Sequence, residues 1–220
     1  MTDFVQARRM MVDGQLRTND VTDLRVLAAF NEVPREAFVP PRWQATAYLD
    51  RDVPVQDADQ GRRLLKPMVL AKLIQAAAVG EAERVLDVGC ATGYSSAILA
   101  KLARLVVALE EDGALAAAAS RALAAVGAGN VNLVTGPLTD GWSGKARYDA
   151  ILLNGSTEVA PKALLDQLAD GGRLVAVVGR APIGRGTVYR RSGDHVSAHA
   201  TFDAVAPLLP GFAKPPAFVF

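Results

Sequence analysis

A repeated alternation of short apolar runs with helical segments, beginning near residue 80, constrains this chain more than any other feature of its sequence. Each run has the length of a buried strand and lacks the polar alternation of a half-exposed one. The runs span residues 84–88, 105–110, 130–135, 148–153 and 173–178. Helical stretches follow three of them, at residues 95–102, 113–126 and 161–168. The alternation predicts an α/β, Rossmann-like fold, in which a mostly parallel sheet carries helices on both faces.

The first part of the chain has a different pattern. Residues 1–80 predict a helical N-terminal extension, with helices over Phe4–Leu16 and Asp23–Phe30. A further helix is predicted to begin at Pro67, because proline is well tolerated in the first helical turn.

The C-terminal part of the chain also departs from the alternation. Residues 186–191 and 216–220 are typical of strands, and no helix intervenes between them. The turn residues Ser192–Asp194 suit an antiparallel hairpin, so we expect an antiparallel C-terminal element on the sheet. No linker rich in glycine, serine or charge interrupts the chain. We therefore expect one domain over residues 1–220, with the α/β core at 81–220.

Composition excludes several classes of protein. The 24 lysine and arginine residues balance 23 aspartate and glutamate residues, which argues against nucleic-acid binding by bulk positive charge. Cys90 is the single cysteine, so neither an internal disulfide nor a cysteine-based zinc site is expected, and no metal site is predicted. No secretory signal or membrane-spanning stretch is recognised. We expect a cytoplasmic monomer that does not bind membranes.

A glycine-containing turn, Asp87–Tyr94, follows the first apolar run. Gly89 and Gly93 lack a β-carbon, so the backbone can turn sharply and a ligand can approach closely. The helix that begins there offers backbone N–H groups without intrahelical partners, and open α/β sheets bind ligands at the carboxyl ends of their strands. Turns of this kind also join strands to helices where no ligand binds, so the glycines alone leave both interpretations open.

Glu110 adds a second constraint, because it ends the next apolar run about 20 residues after Gly89. An acidic residue at that place can accept hydrogen bonds from two ribose hydroxyls. The combination favours a nucleoside ligand, and the alternative is that Glu110 is a solvated strand end.

Comparison with nucleotide-binding patterns narrows the ligand. The dinucleotide fingerprint needs glycine at the third and sixth positions from Gly89, where this chain has Ala91 and Tyr94. This makes an NAD-dependent dehydrogenase the weaker interpretation, and the Gly-Lys-Ser/Thr of a P-loop is absent from the turn. Asp87 suits the cationic group of an amino acid better than a phosphate. S-adenosyl-L-methionine carries that group and a ribose without phosphate, and it is the predicted cofactor.

Several segments resemble the protein-L-isoaspartate O-methyltransferase family. The pattern Val-Pro-Arg-x-x-Phe-Val-Pro at Val33–Pro40 is specific to that family, and the similarity covers about residues 8–179. Further segments of similarity are 11–17, 23–30, 47–48, 85–94, 148–152, 159–168 and 171–175. The resemblance implies a methyltransferase fold and methyl transfer from S-adenosylmethionine to the α-carboxylate of isoaspartyl residues in damaged protein, a repair reaction.

The predicted cofactor-binding residues lie in the glycine turn and after the next two apolar runs. They are Asp87, Gly89, Cys90, Ala91, Gly93, Tyr94, Glu110, Glu111, Pro137 and Leu138. The family usually has Gly-Asp-Gly where this chain has Gly136-Pro-Leu138, and its acid lies near the adenine amino group. Asp140 lies three positions after Pro137 and is a candidate replacement. Cys90 is interpreted as a small residue lining the cofactor rather than a nucleophile.

The segment expected to bind the methyl acceptor departs from the family pattern. Gly61–Pro67 aligns with the family's Gly-Gln-Thr-Ile-Ser-Gln-Pro, and Leu65 takes the place of the serine beside the transferred methyl. No catalytic residue is therefore assigned. Arg62, Arg63 or Lys66 could attract a carboxylate or form a solvated loop. The acceptor could thus be an isoaspartyl protein or peptide, another carboxylate or a small molecule, and a non-catalytic cofactor-binding module is the remaining alternative.

Overall fold

The computed structural model of this protein describes residues 3–56, 61–145 and 147–215. Its α-helices are α1 (Phe4–Met11), α2 (Leu24–Glu32), α3 (Pro41–Gln44), α4 (Pro67–Ala77), α5 (Tyr94–Ala100), α6 (Gly113–Ala125) and α7 (Lys162–Leu165). Its strands are β1 (Val53–Pro54), β2 (Arg63–Leu64), β3 (Arg84–Val88), β4 (Leu105–Glu110), β5 (Val131–Thr135), β6 (Tyr148–Thr157), β7 (Leu168–Arg180), β8 (Ile183–Ser192) and β9 (His195–Asp203). None of the helices within these ranges is both long and apolar enough to cross a membrane.

Strands β3 to β9 form one sheet in the order β5-β4-β3-β6-β7-β8-β9. The pairs from β5 to β7 are parallel, whereas β7–β8 and β8–β9 are antiparallel. The predicted fold class is confirmed, including its antiparallel C-terminal element. Apolar residues cover both faces of the sheet: Val85 belongs to a core cluster shared with the N-terminal helices, and Leu86 to a second cluster shared with α7.

The direction of strand addition reverses at β3, since β4 lies on one side of it and β6 on the other. Such a reversal separates the loops that follow the two strands and leaves a crevice at their carboxyl ends. The register places Val88 beside Leu109 on one side and Leu153 on the other. The residues that follow these three positions are therefore brought to one edge of the sheet.

The N-terminal extension is mainly helical, as predicted, but differs in detail. The expected helix Phe4–Leu16 is α-helical only to Met11 and continues as a π-helical turn over Val12–Leu16. Asp23 caps α2 by accepting a hydrogen bond from the Arg25 amide at 2.8 Å. The two-residue strands β1 and β2 form a small antiparallel pair that the sequence pattern did not predict.

The C-terminal hairpin forms at the predicted turn, where Gly193 adopts a φ of 58° between β8 and β9. β9 is the second strand of this hairpin, and the predicted strand 216–220 lies outside the described residues. After β9 the chain returns over the carboxyl end of β6. There the Ser156 amide donates to the Pro207 carbonyl at 2.7 Å, and the Leu209 amide donates to the Ser156 carbonyl at 3.1 Å.

One predicted helix is much shorter than expected. The stretch 161–168 forms only the single turn of α7, because Leu168 already pairs with Tyr148 at the start of β7. The Tyr148 amide donates to the Gln167 carbonyl at 2.8 Å. Pairing with a neighbouring strand thus replaces helical hydrogen bonds at this point.

Candidate active site

The glycine turn joins β3 to α5 at the reversal point of the sheet. Gly89, Ala91 and Gly93 have φ values of 77°, 53° and 91°, which lie in the left-handed region that glycine tolerates best. The Gly89 and Cys90 amides both donate to the Leu109 carbonyl, at 2.9 and 3.1 Å. The turn is therefore held against the end of β4, where Glu110 lies.

The bare faces of the two glycines contact other parts of the protein. A β-carbon at Gly93 would lie 3.1 Å from Leu123 Cγ, so this glycine admits α6 against the turn. A β-carbon at Gly89 would lie 3.1 Å from a Leu209 methyl carbon and 3.5 Å from Arg62 Nη2. The space expected for a ligand at these glycines is thus filled by side chains, because close packing of helices and loops also requires the absence of a β-carbon.

Asp87 lies at the centre of a buried polar network. Its Oδ2 accepts hydrogen bonds from the Ser95 and Ser96 hydroxyls, both at 2.6 Å. The Asn154 side-chain amide donates to Ser95 Oγ at 2.7 Å. The pKa of Asp87 is raised to about 6, mainly by burial; the charge of Glu110 also raises it, whereas the two serine hydrogen bonds and the charge of Arg62 lower it.

Two oxygens of this network have no hydrogen-bond partner among the described residues. They are Asp87 Oδ1 and Asn154 Oδ1, and both are shielded from solvent. Buried polar atoms without a partner are rare in folded proteins and often mark a site that a ligand completes. Two free acceptor oxygens in one hydrogen-bonded network match the ammonium group of an amino acid, which donates hydrogen bonds and carries the opposite charge to Asp87.

Asn154 is a site residue that the sequence reasoning did not assign. Its position carried a usable signal, because it follows the part of β6 that pairs with β3, where Val88 lies opposite Leu153. A polar side chain after a buried parallel strand lies at the ligand-binding edge of the sheet.

Glu110 is fully buried and accepts hydrogen bonds from a ring of nitrogen donors. Oε2 accepts from the Ala91 amide at 2.7 Å, and Oε1 accepts from the Glu111 and Asp112 amides at 3.1 and 3.2 Å. Arg62 completes the ring, with Nη1 2.8 Å from Oε1 and Nη2 2.7 Å from Oε2. The predicted ribose-binding carboxylate is therefore held in place by a guanidinium in the two-pronged geometry typical of strong arginine–carboxylate pairs.

Arg62 comes from the N-terminal extension and is only 11% exposed, so the interpretation of a solvated loop is wrong for this residue. Nη2 also donates to the Gly89 carbonyl at 3.2 Å. Its backbone is fixed independently, since the Val55 amide donates to the Arg62 carbonyl at 3.3 Å beside the β1–β2 pair. In the same segment, the Lys66 backbone amide donates to Asp52 Oδ1 at 2.8 Å.

Tyr94 and Cys90 have side chains that face the protein core. The Tyr94 ring packs edge-on against Phe30 and Phe38, and the Arg35 guanidinium lies 4.8 Å from its centroid. Its side chain thus anchors the N-terminal extension to α5. Burial raises the pKa of the Cys90 thiol well above its usual range, which leaves it an inert neutral side chain.

The remaining predicted cofactor residues are Glu111, Pro137 and Leu138, which follow β4 and β5. Glu111 contributes its amide to Glu110 while its side chain is exposed. Pro137 is exposed and follows β5, whose Thr135 pairs with Glu110, whereas Leu138 is buried in the core. Of Pro137 and Leu138, only Pro137 therefore has its side chain at the surface.

Leu65, at the family's serine position, is 1% exposed and belongs to the main core cluster. Its carbonyl accepts a hydrogen bond from Arg35 Nη2 at 2.8 Å. The position therefore supports packing of the extension and presents no polar group, and Arg62 is the residue of this segment that reaches the glycine turn.

A comparison with protein families matches residues 7–205 to the model of protein-L-isoaspartate(D-aspartate) O-methyltransferase. Protein-L-isoaspartate O-methyltransferase 1 of Rhodopseudomonas palustris is 42% identical over 178 residues, which are 81% of this chain and 71% of the relative. The protein-L-isoaspartate O-methyltransferase of Methylorubrum populi is 40% identical over 215 residues, which are 96% and 98% of the two chains.

Solved structures agree on the fold. A structure titled as a protein-L-isoaspartate O-methyltransferase superimposes with a TM-score of 0.81 at 22% identity and covers 93% of this chain and 66% of the other. A putative member from Plasmodium falciparum, in complex with S-adenosyl-L-homocysteine, gives a TM-score of 0.77 at 17% identity over 92% and 97% of the two chains.

Proposed function

The chain belongs to the protein-L-isoaspartate(D-aspartate) O-methyltransferase family, and we propose that it transfers methyl from S-adenosylmethionine to the isoaspartyl carboxylate of damaged protein. The observation that carries the proposal for its own residues is the pair of unpartnered buried oxygens on Asp87 and Asn154 beside Glu110. These groups lie at the strand ends where the sheet reverses, which is the ligand-binding place of open α/β folds.

Each polar group of this edge suits one part of the cofactor. Asp87 and Asn154 would accept hydrogen bonds from the ammonium group, and the added positive charge would favour the ionised form of Asp87. Glu110 would accept from the ribose hydroxyls. Pro137, exposed beside the end of β5, would pack against the adenine, and exposed Asp140 in the next turn is the nearest candidate acceptor along the chain.

The proposed reaction needs little acid–base catalysis from the protein. The cofactor supplies an electrophilic methyl group on a sulfonium, and a new bond from a carboxylate oxygen to that carbon forms as the carbon–sulfur bond breaks. The acceptor carboxylate is already ionised at neutral pH, so no base is needed to activate it. Placing the two groups in line supplies most of the rate, which is compatible with a leucine at position 65.

Binding and transfer test this proposal separately. We expect calorimetry to detect S-adenosylhomocysteine binding to the wild-type chain and at least tenfold weaker binding to Asp87→Asn. A matched control is Asp194→Asn, which removes an exposed carboxylate in the β8–β9 turn. Radiolabelled methyl should be transferred to an isoaspartyl peptide as a base-labile ester and not to the same peptide with normal aspartate. Absence of cofactor binding, or equal labelling of the two peptides, would contradict the proposal.

We also propose that residues 1–220 form one domain that acts as a cytoplasmic monomer without nucleic acid. A single core cluster shared by Leu16 and Phe30 of the extension with Ile98 of α5 and Val175 of β7 supports the first point. The balanced charge supports the absence of nucleic-acid binding. Light scattering after size exclusion measures the oligomeric state, and a dimer would contradict the proposal.

A further inference from the structure

The hydrogen bonds to Glu110 are saturated. A carboxylate offers about four lone-pair sites, and Glu110 already accepts from three backbone amides and both terminal nitrogens of Arg62. No acceptor capacity is left for a further ligand. Two ribose hydroxyls can therefore bind Glu110 only if at least two of the present donors leave.

The donors differ in their freedom to leave. The amides of Ala91, Glu111 and Asp112 are part of the glycine turn and of the β4–α6 connection, and Asp112 also caps α6 by accepting from the Ala114 amide at 2.8 Å. The two nitrogens of Arg62 belong to a side chain that can rotate about several bonds. The two Arg62 nitrogens are therefore the donors that can leave Glu110 without a movement of the backbone.

A guanidinium displaced from Glu110 would stay near the site. The Arg62 carbonyl remains bound to the Val55 amide, so the backbone of the residue does not have to move. It would lose its carboxylate in surroundings that are largely removed from water, beside the Gly89 carbonyl to which Nη2 donates in this structure. An arginine in such surroundings favours another carboxylate, which it can bind through two parallel hydrogen bonds.

Resting on the proposed function, we propose that Arg62 exchanges one carboxylate for another during the reaction. In the free protein it binds Glu110, and the cofactor's ribose displaces it. The released guanidinium then binds the carboxylate of the isoaspartyl acceptor and holds it at the glycine turn. Arg62 is thus an acceptor-binding residue that becomes available only after the cofactor has bound.

The exchange has a consequence of opposite sign for the two ligands. Removing Arg62 removes the competitor for Glu110, so the cofactor should bind more tightly. The same change removes the cation that binds the acceptor, so the peptide should bind more weakly. If Arg62 only stabilised the loop, its removal would weaken the binding of both the cofactor and the peptide. If it only contacted the cofactor, its removal would weaken cofactor binding alone.

The experiment compares Arg62→Ala and Arg62→Lys with the wild-type chain, and Arg121→Ala, on the exposed side of α6, controls for loss of one positive charge. Calorimetry measures S-adenosylhomocysteine binding, for which Arg62→Ala should be about tenfold tighter than wild type. Arg62→Lys should lie between them, because an ammonium cannot bridge both oxygens of Glu110. Thermal unfolding with S-adenosylhomocysteine present checks that each variant is folded.

Fluorescence anisotropy of a labelled isoaspartyl peptide measures the second ligand. With saturating S-adenosylhomocysteine, the peptide should bind Arg62→Ala at least tenfold more weakly than wild type or Arg121→Ala. Without it, wild type should bind the peptide at least tenfold more weakly than with it. Unchanged or weaker cofactor binding by folded Arg62→Ala would overturn the exchange alone, as would unchanged peptide affinity. A wild-type chain that binds no S-adenosylhomocysteine would overturn the proposed function as well.

Discussion

Replacing Asp87 with asparagine tests whether the buried carboxylate costs the protein stability. Burial raises the pKa of Asp87 to about 6, whereas an aspartate in an unfolded chain has a pKa near 3.9. The native state therefore binds a proton more readily than the unfolded state in this interval. The contribution of Asp87 to the free energy of unfolding is highest at low pH and is lost as pH rises from about 4 to about 6. Asparagine does not titrate, so the variant escapes that loss.

The magnitude follows from the difference between the two pKa values. A shift of about two units corresponds to about 3 kcal/mol, most of which appears between pH 4 and pH 8. The asparagine places an amide group where Oδ1 has no partner, and an unsatisfied buried donor costs about 1–3 kcal/mol. That cost does not vary with pH. We expect the free energy of unfolding of Asp87→Asn, relative to wild type, to increase by about 2–3 kcal/mol from pH 4 to pH 8.

Urea unfolding followed by circular dichroism at several pH values measures this difference. Groups that titrate identically in the variant and the wild type cancel in the difference between their free energies of unfolding. Asp194→Asn shows how much an exposed carboxylate contributes to that difference. A difference between Asp87→Asn and wild type that stays constant across pH would refute the reasoning, because it would mean that Asp87 titrates alike in both states. A difference that decreases with rising pH would show that its pKa is lowered in the native protein.

Three further substitutions test the packing around the site. Gly93→Ala should lower the free energy of unfolding by about 1–3 kcal/mol, because its φ of 91° is strained for alanine and its β-carbon would press on Leu123; unchanged urea unfolding would contradict this. Leu65→Ser should cost about 2–5 kcal/mol and should not increase methyl transfer, since the position is in the core; faster transfer in a labelling assay would show that it faces the acceptor. Arg173→Ala should cost about 1–3 kcal/mol, as it removes the charge-assisted hydrogen bonds to Glu83 at 2.6 and 2.8 Å, and a melting temperature equal to wild type would exclude that role.

The order of strands and helices follows from local sequence, because it depends on periodicity within short windows. The runs at 84–88 and 105–110 match β3 and β4 residue for residue. Where pairing with a distant strand decides the conformation, local pattern gives the wrong element: residues 166–168 were expected in a helix, but α7 ends at Leu165 and Leu168 already belongs to β7.

For the candidate site, the sequence predicts the residues at the strand ends but not the side chains that pack against the glycine turn. Asp87 and Glu110 are placed by the ends of β3 and β4, so their convergence follows once the sheet is known. The side chains that fill the glycine turn were not predictable, since Arg62 and Leu209 approach it from opposite parts of the chain. Contacts between segments so far apart depend on how the N-terminal extension and the C-terminal return pack on the sheet. No local pattern encodes that packing.

The return of residues 207–212 over β6 has a consequence for the order of assembly. Synthesis proceeds from the N-terminus, and domains begin to fold as their segments emerge. The strands that carry Asp87, Glu110 and Asn154 therefore emerge before the segment that places Leu209 on Gly89. A chain that stopped after β9 would keep every proposed cofactor-binding residue and lose the cover of its glycine turn. Truncations that remove residues 207–212 would thus uncover the glycine turn without removing any proposed cofactor-binding residue.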